Sequence, residues 1–299
     1  MEVHQLRYAV AVADEGSFTA AAQALHVTQS GVSAQVALLE RELGTRLFDR
    51  TPKGTRVAPS AAPVLDQIRY VVAGLDRVRS TADEVNGLLS GTVAVGAVAG
   101  LSWPAFLDGI QSVHDEHPGL ELSLREGRSF ELQADVAAGR LDLALVSWPD
   151  QPLAGLASWV ALDERVVVVV DPRHPWAGRT EVSPAELLDE QVICTSEGTG
   201  MRLAYATLMR AEGLPAPVTW DVTLPTTARA LAARGLGVAV VTSSSADAPS
   251  ELHHVRVTST QADSHLGLVW RADPAPSAAA RATLAALRAH LGQGSRTGQ

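Results

Sequence analysis

The sequence has few of the features on which several classes of protein depend. Its 299 residues include one cysteine, Cys194, which excludes a framework of intrachain disulfides. No apolar run approaches the roughly 20 residues needed to cross a bilayer. The opening MEVHQLRYAV has neither the basic nor the apolar region of a secretory signal. We therefore expect a cytoplasmic protein, in which Cys194 is a buried, small hydrophobic residue rather than a redox switch.

The motifs of several enzyme classes are also absent. The sequence has no Walker loop, no GxSxG elbow, no HExxH motif and no convincing triad. The run Gly198-Thr199-Gly200 is too short to indicate a nucleotide site. His114 and His117 could hold a metal, as could His253-His254, but neither pair has a third ligand, and solvated histidines are the simpler interpretation. We expect no enzyme activity, metal or cofactor.

The composition is that of a protein with substantial cores. Apolar residues make up 46% of the chain, and its length suggests two domains, or a small domain and a larger bilobal one. The net charge of −9 does not favour nucleic acid, and residues 1–60 hold as many acidic as basic side chains. Three cations, Arg50, Lys53 and Arg56, nevertheless lie close together, and phosphate binding needs only a local positive face.

Residues 3–43 have the pattern of a helix-turn-helix. A first helix over 3–14 ends at Gly16, and Ser17 is a suitable N-cap for a second over 18–25. A tight turn with a buried Val27 follows, and Thr28 is the expected N-cap of a third helix, whose buried face is Val32, Val36, Leu39 and Leu43.

The exposed residues at the start of the third helix are Gln29, Ser30, Ser33, Ala34 and Gln35. Glutamine can pair with adenine in the major groove, so together with Thr28 these residues are candidates for base contacts. An equally acceptable interpretation is that they are ordinary solvent-facing side chains.

The segment Asp49–Val57 is typical of a hairpin, with Pro52 and Gly54 in the positions that a type I turn favours. It would form a wing that presents Arg50, Lys53 and Arg56 to phosphates or to a minor groove.

Residues 1–60 resemble the LysR-type transcriptional regulators. The matching segments are Leu6-Arg7-Tyr8, Gly16–Ala22, Leu25–Ser30, Val32-Ser33, Gln35, Leu39-Glu40, Leu43-Gly44, Leu47-Phe48 and Arg50-Thr51. Ala34 stands where the family commonly has a basic residue, which removes one possible DNA contact. The resemblance implies a sequence-specific regulator that binds double-stranded DNA.

A single helical pattern runs from Ser60 to Leu89. Leu65, Ile68, Val72 and Leu75 follow a coiled-coil spacing, which resumes at Val78 after a slip of three residues. Packing on its own domain is the alternative, but such a helix is about 45 Å long, more than a small domain covers. We expect a homodimer through this linker helix, as the resemblance also implies, and the usual family form implies a homotetramer.

Beyond Gly91 the pattern alternates between strands and helices. Strands are predicted at 92–98, 120–125, 141–146, 166–170, 192–195, 218–222, 238–241 and 266–270, and helices at 104–116, 129–138, 200–212, 225–234 and 277–291. The apolar strands, bounded by Gly, Pro and Asp, favour parallel sheets covered by helices on both faces. The predicted fold class is therefore α/β.

Ligands of such sheets bind at the carboxyl ends of strands, beside helix N-termini. Gly100 and Ser102 follow the first strand, Ser147 ends the third, and Thr199 opens a helix. These groups suit a small anion or a polar metabolite, although Ser102 and Thr199 are also plain N-cap candidates. Arg128 and Arg202 are weak candidates for holding a carboxylate, and Trp103 and Trp148 could line the pocket or pack in the core.

In the LysR-type family this half resembles a periplasmic binding protein, with an effector held between two lobes. The resemblance implies lobe I at 92–161 and 266–291 and lobe II at 162–265. It places effector contacts on Ser102, Ser147 and Thr199, with Thr242 near the second crossing strand as a weaker candidate. We divide the chain into a winged helix-turn-helix (1–59), a linker helix (60–90) and an effector-binding domain (91–299). A solute-binding module is the alternative for the second half alone, but the attached winged helix-turn-helix favours a regulator.

Overall fold

The computed structural model describes residues 1–51, 54–85, 89–100, 103–246, 251–258 and 264–294. The chain divides into two compact units, of which the first runs over Met1–Leu88 and the second begins at Leu89. Among the described residues, no helix is both long and apolar enough to cross a membrane.

The first unit begins with three helices. Its elements are α1 (Val3–Glu15), α2 (Phe18–Ala24), α3 (Gln29–Leu43), β1 (Phe48–Thr51), β2 (Gly54–Val57), a 3₁₀ turn (Pro59–Ala61) and α4 (Ala62–Val85). The sequence set these boundaries through caps. The Ser17 hydroxyl accepts from the Thr19 amide, and Thr28 Oγ1 accepts from the Gly31 amide at 3.2 Å. Gly16 ends α1 at φ 61°, a left-handed conformation that favours glycine.

The core of this unit lies between α1, α3 and the first half of α4. Val32, Val36 and Leu39 are buried on α3, as predicted, and they pack with Leu6 of α1 and Leu65 of α4. Leu43, the fourth residue of the predicted face, is half-buried. The expectation that Val27 is buried is wrong, because its side chain is 39% exposed. The small Ala21 and Ala22 fill that side of the core, so the turn needs no large apolar anchor.

The predicted hairpin is present as the antiparallel pair β1–β2, with Phe48 opposite Val57 and Thr51 opposite Gly54. The Thr55 amide donates to the Gly16 carbonyl at 2.9 Å, which joins the hairpin to the turn between α1 and α2. Glu40 Oε1 accepts from the amides of Leu47 and Phe48 at 2.6 and 3.2 Å. The position of the wing relative to α3 is therefore fixed by hydrogen bonds at both ends.

The linker helix α4 has two different halves. Leu65 and Ile68 are buried against α1, and Arg69 Nη1 and Nη2 both donate to the Asp14 carboxylate. The first half of α4 therefore packs on its own domain, which was the alternative to a coiled coil in the sequence analysis. Farther along, Val71 and Val78 are exposed apolar side chains, which leaves the coiled-coil interpretation open for the second half.

The second unit contains most of the strands. The elements up to residue 189 are β3 (Gly91–Val98), α5 (Pro104–Glu116), β4 (Leu120–Gly127), α6 (Ser129–Ala137), β5 (Leu143–Trp148), β6 (Leu156–Glu164), β7 (Val166–Val170), β8 (Glu181–Val182) and a 3₁₀ helix (Pro184–Asp189). The rest are β9 (Val192–Thr195), α7 (Gly200–Ala211), β10 (Trp220–Val222), α8 (Pro225–Ala232), β11 (Val238–Thr242), α9 (Ser243–Ala246), β12 (His253–Val257), β13 (Ser264–Arg271) and α10 (Ala278–Gly294).

These strands form two sheets, and we call each sheet with its helices a lobe. Lobe I has the strand order β4-β3-β5-β13-β6, with α5 and α10 on one face and α6 on the other. Lobe II has the order β10-β9-β11-β7-β12-β8, with α7 and α8 on opposite faces. The predicted covering of both sheet faces by helices is therefore present.

The expectation of parallel sheets is wrong in part, because both sheets are mixed. β3 pairs in parallel with β4 and β5, but β13 is antiparallel to β5 and β6. In lobe II, β7 is antiparallel to β11 and β12. The antiparallel strands β7 and β13 each follow a strand of the other lobe. β6 of lobe I, for example, continues through Arg165 into β7 of lobe II, without the helical crossover that joins parallel strands.

Candidate functional site

The start of α3 is the exposed end of the helix-turn-helix. Thr28 caps it, Gln29 and Ser30 are exposed, and Ser33 is half-buried one turn later. Ser30 Oγ donates weakly to Thr28 Oγ1, at 3.4 Å, and Gln29 makes no side-chain hydrogen bond among the described residues. These side chains share one end of one helix, which is the geometry that a recognition helix requires.

Gln35, another candidate, is already engaged within the first unit. Its Oε1 lies 3.0 Å from Gln5 Nε2, which donates to it, and 3.2 Å from His4 Nε2. Both partners belong to α1, so the carbonyl group of Gln35 ties α3 to α1. Only its amide nitrogen remains for a base or a phosphate.

Of the three predicted wing cations, the structure describes the side chain of one. Arg56 is exposed on β2, opposite Asp49 of β1. The other two predicted wing cations cannot be placed: Lys53 and the Arg50 side chain lie outside the described residues.

In the second unit a cavity of about 110 Å³ lies between the lobes, and we call it the polar cavity. It brings together Ser147 at the end of β5, Thr199 at the start of α7 and Thr242 at the end of β11. Three hydroxyl groups that are distant in sequence thus line one cavity, with Ser147 from lobe I and the two threonines from lobe II.

Of the other two effector candidates, the structure describes only Gly100. Ser102 lies outside the described residues. Gly100 has φ +76°, and a Cβ there would lie 3.2 Å from the Leu224 Cδ2 atom of lobe II. Gly100 therefore lies close to lobe II without lining the polar cavity.

Two of these three hydroxyl groups, those of Thr199 and Thr242, are bonded to protein atoms. Thr199 Oγ1 donates to the Ser196 carbonyl at 2.8 Å, accepts from the Arg202 amide at 3.2 Å and lies 2.8 Å from Thr195 Oγ1. Thr242 Oγ1 donates to Ser245 Oγ at 3.0 Å. Thr199 is thus both the N-cap of α7 and a lining residue of the polar cavity. The two roles that the sequence predicted for it, helix cap and ligand contact, are compatible.

Glu164 is a lining residue that the sequence did not single out. It is 2% exposed, and its Oε2 accepts from Ser243 Oγ at 2.8 Å and from the Ser244 amide at 3.0 Å, while Ser244 Oγ donates to Oε1. These hydroxyl and amide donors, rather than a cation, stabilise the Glu164 carboxylate. Because β6 was not predicted, nothing in the sequence placed Glu164 at the crossing between lobes.

The lobes also contact each other directly. Arg128 Nη1 donates to the Glu197 carbonyl at 3.1 Å, and the Phe130 amide donates to the Gly198 carbonyl at 3.2 Å. A Cβ on Gly200 would lie 2.2 Å from Ser147 Cβ, far inside van der Waals contact. Glycine at position 200 is what allows α7 to approach β5 this closely.

Residues weighed for other chemistry have structural positions. Trp148 is 2% exposed, Trp103 packs against the lobe I core, and neither lines the polar cavity. Cys194 is buried on β9, and burial raises the pKa of its thiol to about 11. No cluster of three metal-ligating side chains occurs within the described residues.

Comparisons with known proteins agree with both halves of this architecture. Residues 3–62 match the family model "Bacterial regulatory helix-turn-helix protein, lysR family", and residues 86–292 match "LysR substrate binding domain". The probable hydrogen peroxide-inducible genes activator of Mycobacterium avium is 30% identical over 274 residues, 89% of this chain and 86% of that protein.

Two further relatives cover most of the chain. The DNA-binding transcriptional dual regulator OxyR of Escherichia coli K12 is 26% identical over 81% of this chain and 79% of its own length. The solved structure of a full-length OxyR variant from Pseudomonas aeruginosa superposes with a TM-score of 0.76 at 26% identity, covering 96% of this chain and 95% of that one. The predicted family is thereby confirmed: this chain belongs to the LysR family of bacterial transcriptional regulators.

Proposed function

We propose that this LysR-family regulator contacts DNA bases with Gln29, Ser30 and Ser33, and that a small polar molecule bound between its lobes controls that contact. The observation that carries the proposal is the convergence of Ser147, Thr199 and Thr242 from two lobes on one cavity, in a chain whose other unit exposes the start of α3. The proposed site of action is the cytoplasm, where promoter DNA lies.

The DNA contacts divide between bases and phosphates. Gln29 can form two hydrogen bonds to an adenine, and hydroxyl groups such as that of Ser30 can bind several base edges. Arg56, together with Arg50 and Lys53 of the wing, would neutralise phosphates without selecting a sequence. Thr28 and Gln35 orient α3 through the bonds described above and are available for phosphate contacts.

A gel-shift titration on the chain's own promoter region tests this division. We expect the Gln29→Ala, Ser33→Ala double variant to lose the preference for the specific fragment over random DNA, by about tenfold or more. Arg56→Ala should weaken both fragments equally and reduce the slope of affinity against salt by about one unit. Retained sequence preference in the double variant would refute the assignment of these base contacts.

The effector that fits the polar cavity is small and polar. Hydroxyl groups of Ser147, Thr199 and Thr242 line it, Arg128 supplies positive charge and Glu164 negative charge. This mixture weakens the expectation of a simple anion and favours a molecule with both hydrogen-bond donors and acceptors. Its binding would bias the angle between the lobes, provided that it binds the two arrangements unequally.

A thermal-shift screen of polar metabolites would identify the effector, because a ligand specific for the folded state raises the melting temperature with its concentration. A hit should lose its effect in Thr242→Val, whose side chain keeps the shape but lacks the hydroxyl. Addition of the same hit should change the DNA footprint of the wild-type protein. An unchanged footprint and an unchanged DNA bend would contradict effector control.

Two of the relatives are named as activators of hydrogen peroxide-inducible genes or as OxyR, but thiol chemistry is not the proposed response here. The chain has one cysteine, and burial raises the pKa of Cys194 to about 11, so little thiolate exists at neutral pH. Cys194→Ser should bind DNA like the wild type before and after peroxide treatment. A peroxide-dependent shift that disappears in this variant would restore the thiol hypothesis.

The proposed assembly is a homodimer through the second half of α4, with a homotetramer as the complete form. The exposed Tyr70, Val71 and Val78 support it, since a dimer would cover them. Sedimentation analysis of Val78→Asp should show more monomer than the wild type at equal concentration. Unchanged association would place the dimer contact elsewhere.

A further inference from the structure

β6 is an edge strand of lobe I whose outer side is open. It pairs with β13 alone, and among the described residues no backbone hydrogen bond joins residues 157–162 to any other element. The pairing with β13 is regular over residues 156–160. Every second residue of an edge strand directs its amide and carbonyl outward, where another extended chain can bind them. We call the outer side of residues 156–162 the β6 edge.

The β6 edge lacks the side chains that usually protect an open strand. Residues 156–162 include no charged residue and no proline, and Val160 is 41% exposed. At the opposite edge of the same sheet, β4 carries the exposed charges Glu121, Arg125 and Glu126. Charged side chains discourage an open edge from pairing with another chain. Of the two edges of lobe I, β6 is therefore the one that can accept a further strand.

A cation lies beside the β6 edge. The Arg288 guanidinium of α10 lies over the Trp270 ring, 4.6 Å from its centroid, and 5.9 Å from the ring centroid of Trp159 on β6. It makes no hydrogen bond or ion pair within the described residues, where its Nε atom is buried without an acceptor but Nη1 and Nη2 are not buried. The two indole rings hold the guanidinium in place, and its two outer nitrogens remain available to an acceptor from solvent.

The charges around Arg288 favour an acidic partner. α10 carries Arg281, Arg288 and His290 but no acidic residue. The first acid of β6 is Asp163, and its Oδ1 atom lies 2.7 Å from His265 Nδ1. A planar guanidinium binds a carboxylate through two parallel hydrogen bonds. Because the whole chain has a net charge of −9, an acidic ligand would bind at such a local cationic site and not through general attraction.

We propose that the β6 edge docks an extended acidic segment of a partner protein, which adds a strand to the lobe I sheet. The backbone of the segment pairs with residues 156–160, and one of its carboxylates binds Nη1 and Nη2 of Arg288. Acids at every second position share one face of a strand, so they can lie on the face that carries α10. A second copy of the chain fits less well, because residues 156–162 bring no acid.

Fluorescence anisotropy of a labelled peptide, titrated with the full-length protein, tests the docking. The probe is an octapeptide that alternates glutamate and valine, and we expect it to bind saturably with one site per chain. The same peptide with lysine for glutamate loses the charged pair, and the one methylated on every backbone nitrogen loses the amide donors. Each should bind at least about tenfold more weakly. The absence of saturable binding of the glutamate peptide would overturn the proposal.

Matched variants locate the peptide. Arg288→Gln should weaken the glutamate peptide by about tenfold or more, whereas Arg210→Gln, the same change at an exposed position of α7, should leave it within about twofold. Val160→Glu adds a carboxylate to the β6 edge at an exposed position and should also abolish binding, which keeps the test valid if Arg288→Gln is unstable. Equal affinity of the wild type, Arg288→Gln and Val160→Glu would show that the peptide binds elsewhere.

Sedimentation analysis distinguishes a partner protein from a second copy of the chain. The wild type and Val160→Glu should form assemblies of the same size, because the β6 edge is not a contact between copies. A smaller assembly for Val160→Glu, together with no peptide binding by the wild type, would show that a second copy occupies the edge and would overturn the proposal. The docking involves neither the start of α3 nor the polar cavity, so it can fail while the proposed function holds.

Discussion

The start of α3 and the polar cavity between the lobes both present small polar side chains, but these side chains are differently occupied. On α3, Gln29 makes no side-chain hydrogen bond among the described residues, and Ser30 makes a weak one. In the polar cavity, Thr199, Thr242 and Glu164 are bonded to protein atoms at distances of 2.8 to 3.2 Å.

This difference in internal hydrogen bonding determines what each surface must give up when it binds DNA or an effector. A helix end that carries a side chain such as Gln29 can bind DNA without breaking internal bonds, so that side chain contributes to affinity and little to stability. In the cavity, the hydroxyl groups of Thr199 and Thr242 already bind protein atoms and must exchange those bonds for bonds to the ligand, so these side chains contribute to both affinity and stability. Substitutions at the two surfaces should therefore have different effects on unfolding.

The largest expected effect is at Glu164. Glu164→Ala removes a buried acceptor and leaves the Ser243 and Ser244 donors without a partner, so we expect a loss of about 3 kcal/mol in the free energy of unfolding of the second unit. Urea unfolding followed by circular dichroism measures it. Glu126→Ala, at an exposed acid of β4, is the control and should stay within about 0.5 kcal/mol. A loss below about 1 kcal/mol for Glu164→Ala would show that the cavity network is not structural.

Gly200 should come next. An alanine Cβ would meet Ser147 Cβ at 2.2 Å, so α7 and β5 must move apart, and we expect Gly200→Ala to reduce the stability of the second unit by about 2 kcal/mol. Gly178→Ala is the matched control, because no atom lies within 4 Å of its added Cβ. Equal stability of the two variants would mean that the lobes are not held together at this contact.

The N-caps Thr28 and Thr199 allow a direct comparison of the start of α3 with the polar cavity. Thr28→Ala removes the bond accepted from the Gly31 amide and the weak one accepted from Ser30, and should destabilise the first unit by about 1 kcal/mol. Thr199→Ala removes the equivalent cap together with two further bonds, so a loss of about 1.5 to 2 kcal/mol is expected in the second unit. Thermal unfolding of each variant gives the ratio, and a larger loss for Thr28→Ala would reverse the comparison.

The smallest effect on unfolding should be at Gln29. Gln29→Ala breaks no internal bond, so the free energy of unfolding should change by less than about 0.5 kcal/mol. Affinity for a specific promoter fragment should nevertheless fall about tenfold, measured by gel shift. A destabilised Gln29→Ala protein would mean that the start of α3 is bonded internally after all.

Much of the local structure could be predicted from short-range pattern. The helices predicted at 104–116 and 129–138 agree closely with α5 and α6, and the strands predicted at 166–170 and 192–195 coincide with β7 and β9. Caps, glycines and apolar periodicity act between neighbours in the chain, and so they can be recognised there.

The elements that were missed depend on distant neighbours. β6 lies at the edge of lobe I, beside β13, and most of its side chains are half-buried or exposed. β12 contains the exposed pair His253-His254, which was weighed as a metal site. Neither segment is buried throughout, unlike the central strand β7, whose five valines are all buried. Glu164 lies at the end of β6, so the missed strand also hid the buried carboxylate of the polar cavity.

By itself the sequence determined the family, the order of the elements and the helix ends, since motif spacing and caps are local properties of the chain. Only the tertiary structure decided that Thr199 and Thr242 line one cavity with Ser147, and that Gly200 permits the close approach of α7 to β5. Those facts depend on how two mixed sheets are joined by crossing strands, and contacts between residues far apart in the chain leave no periodic signal in the sequence.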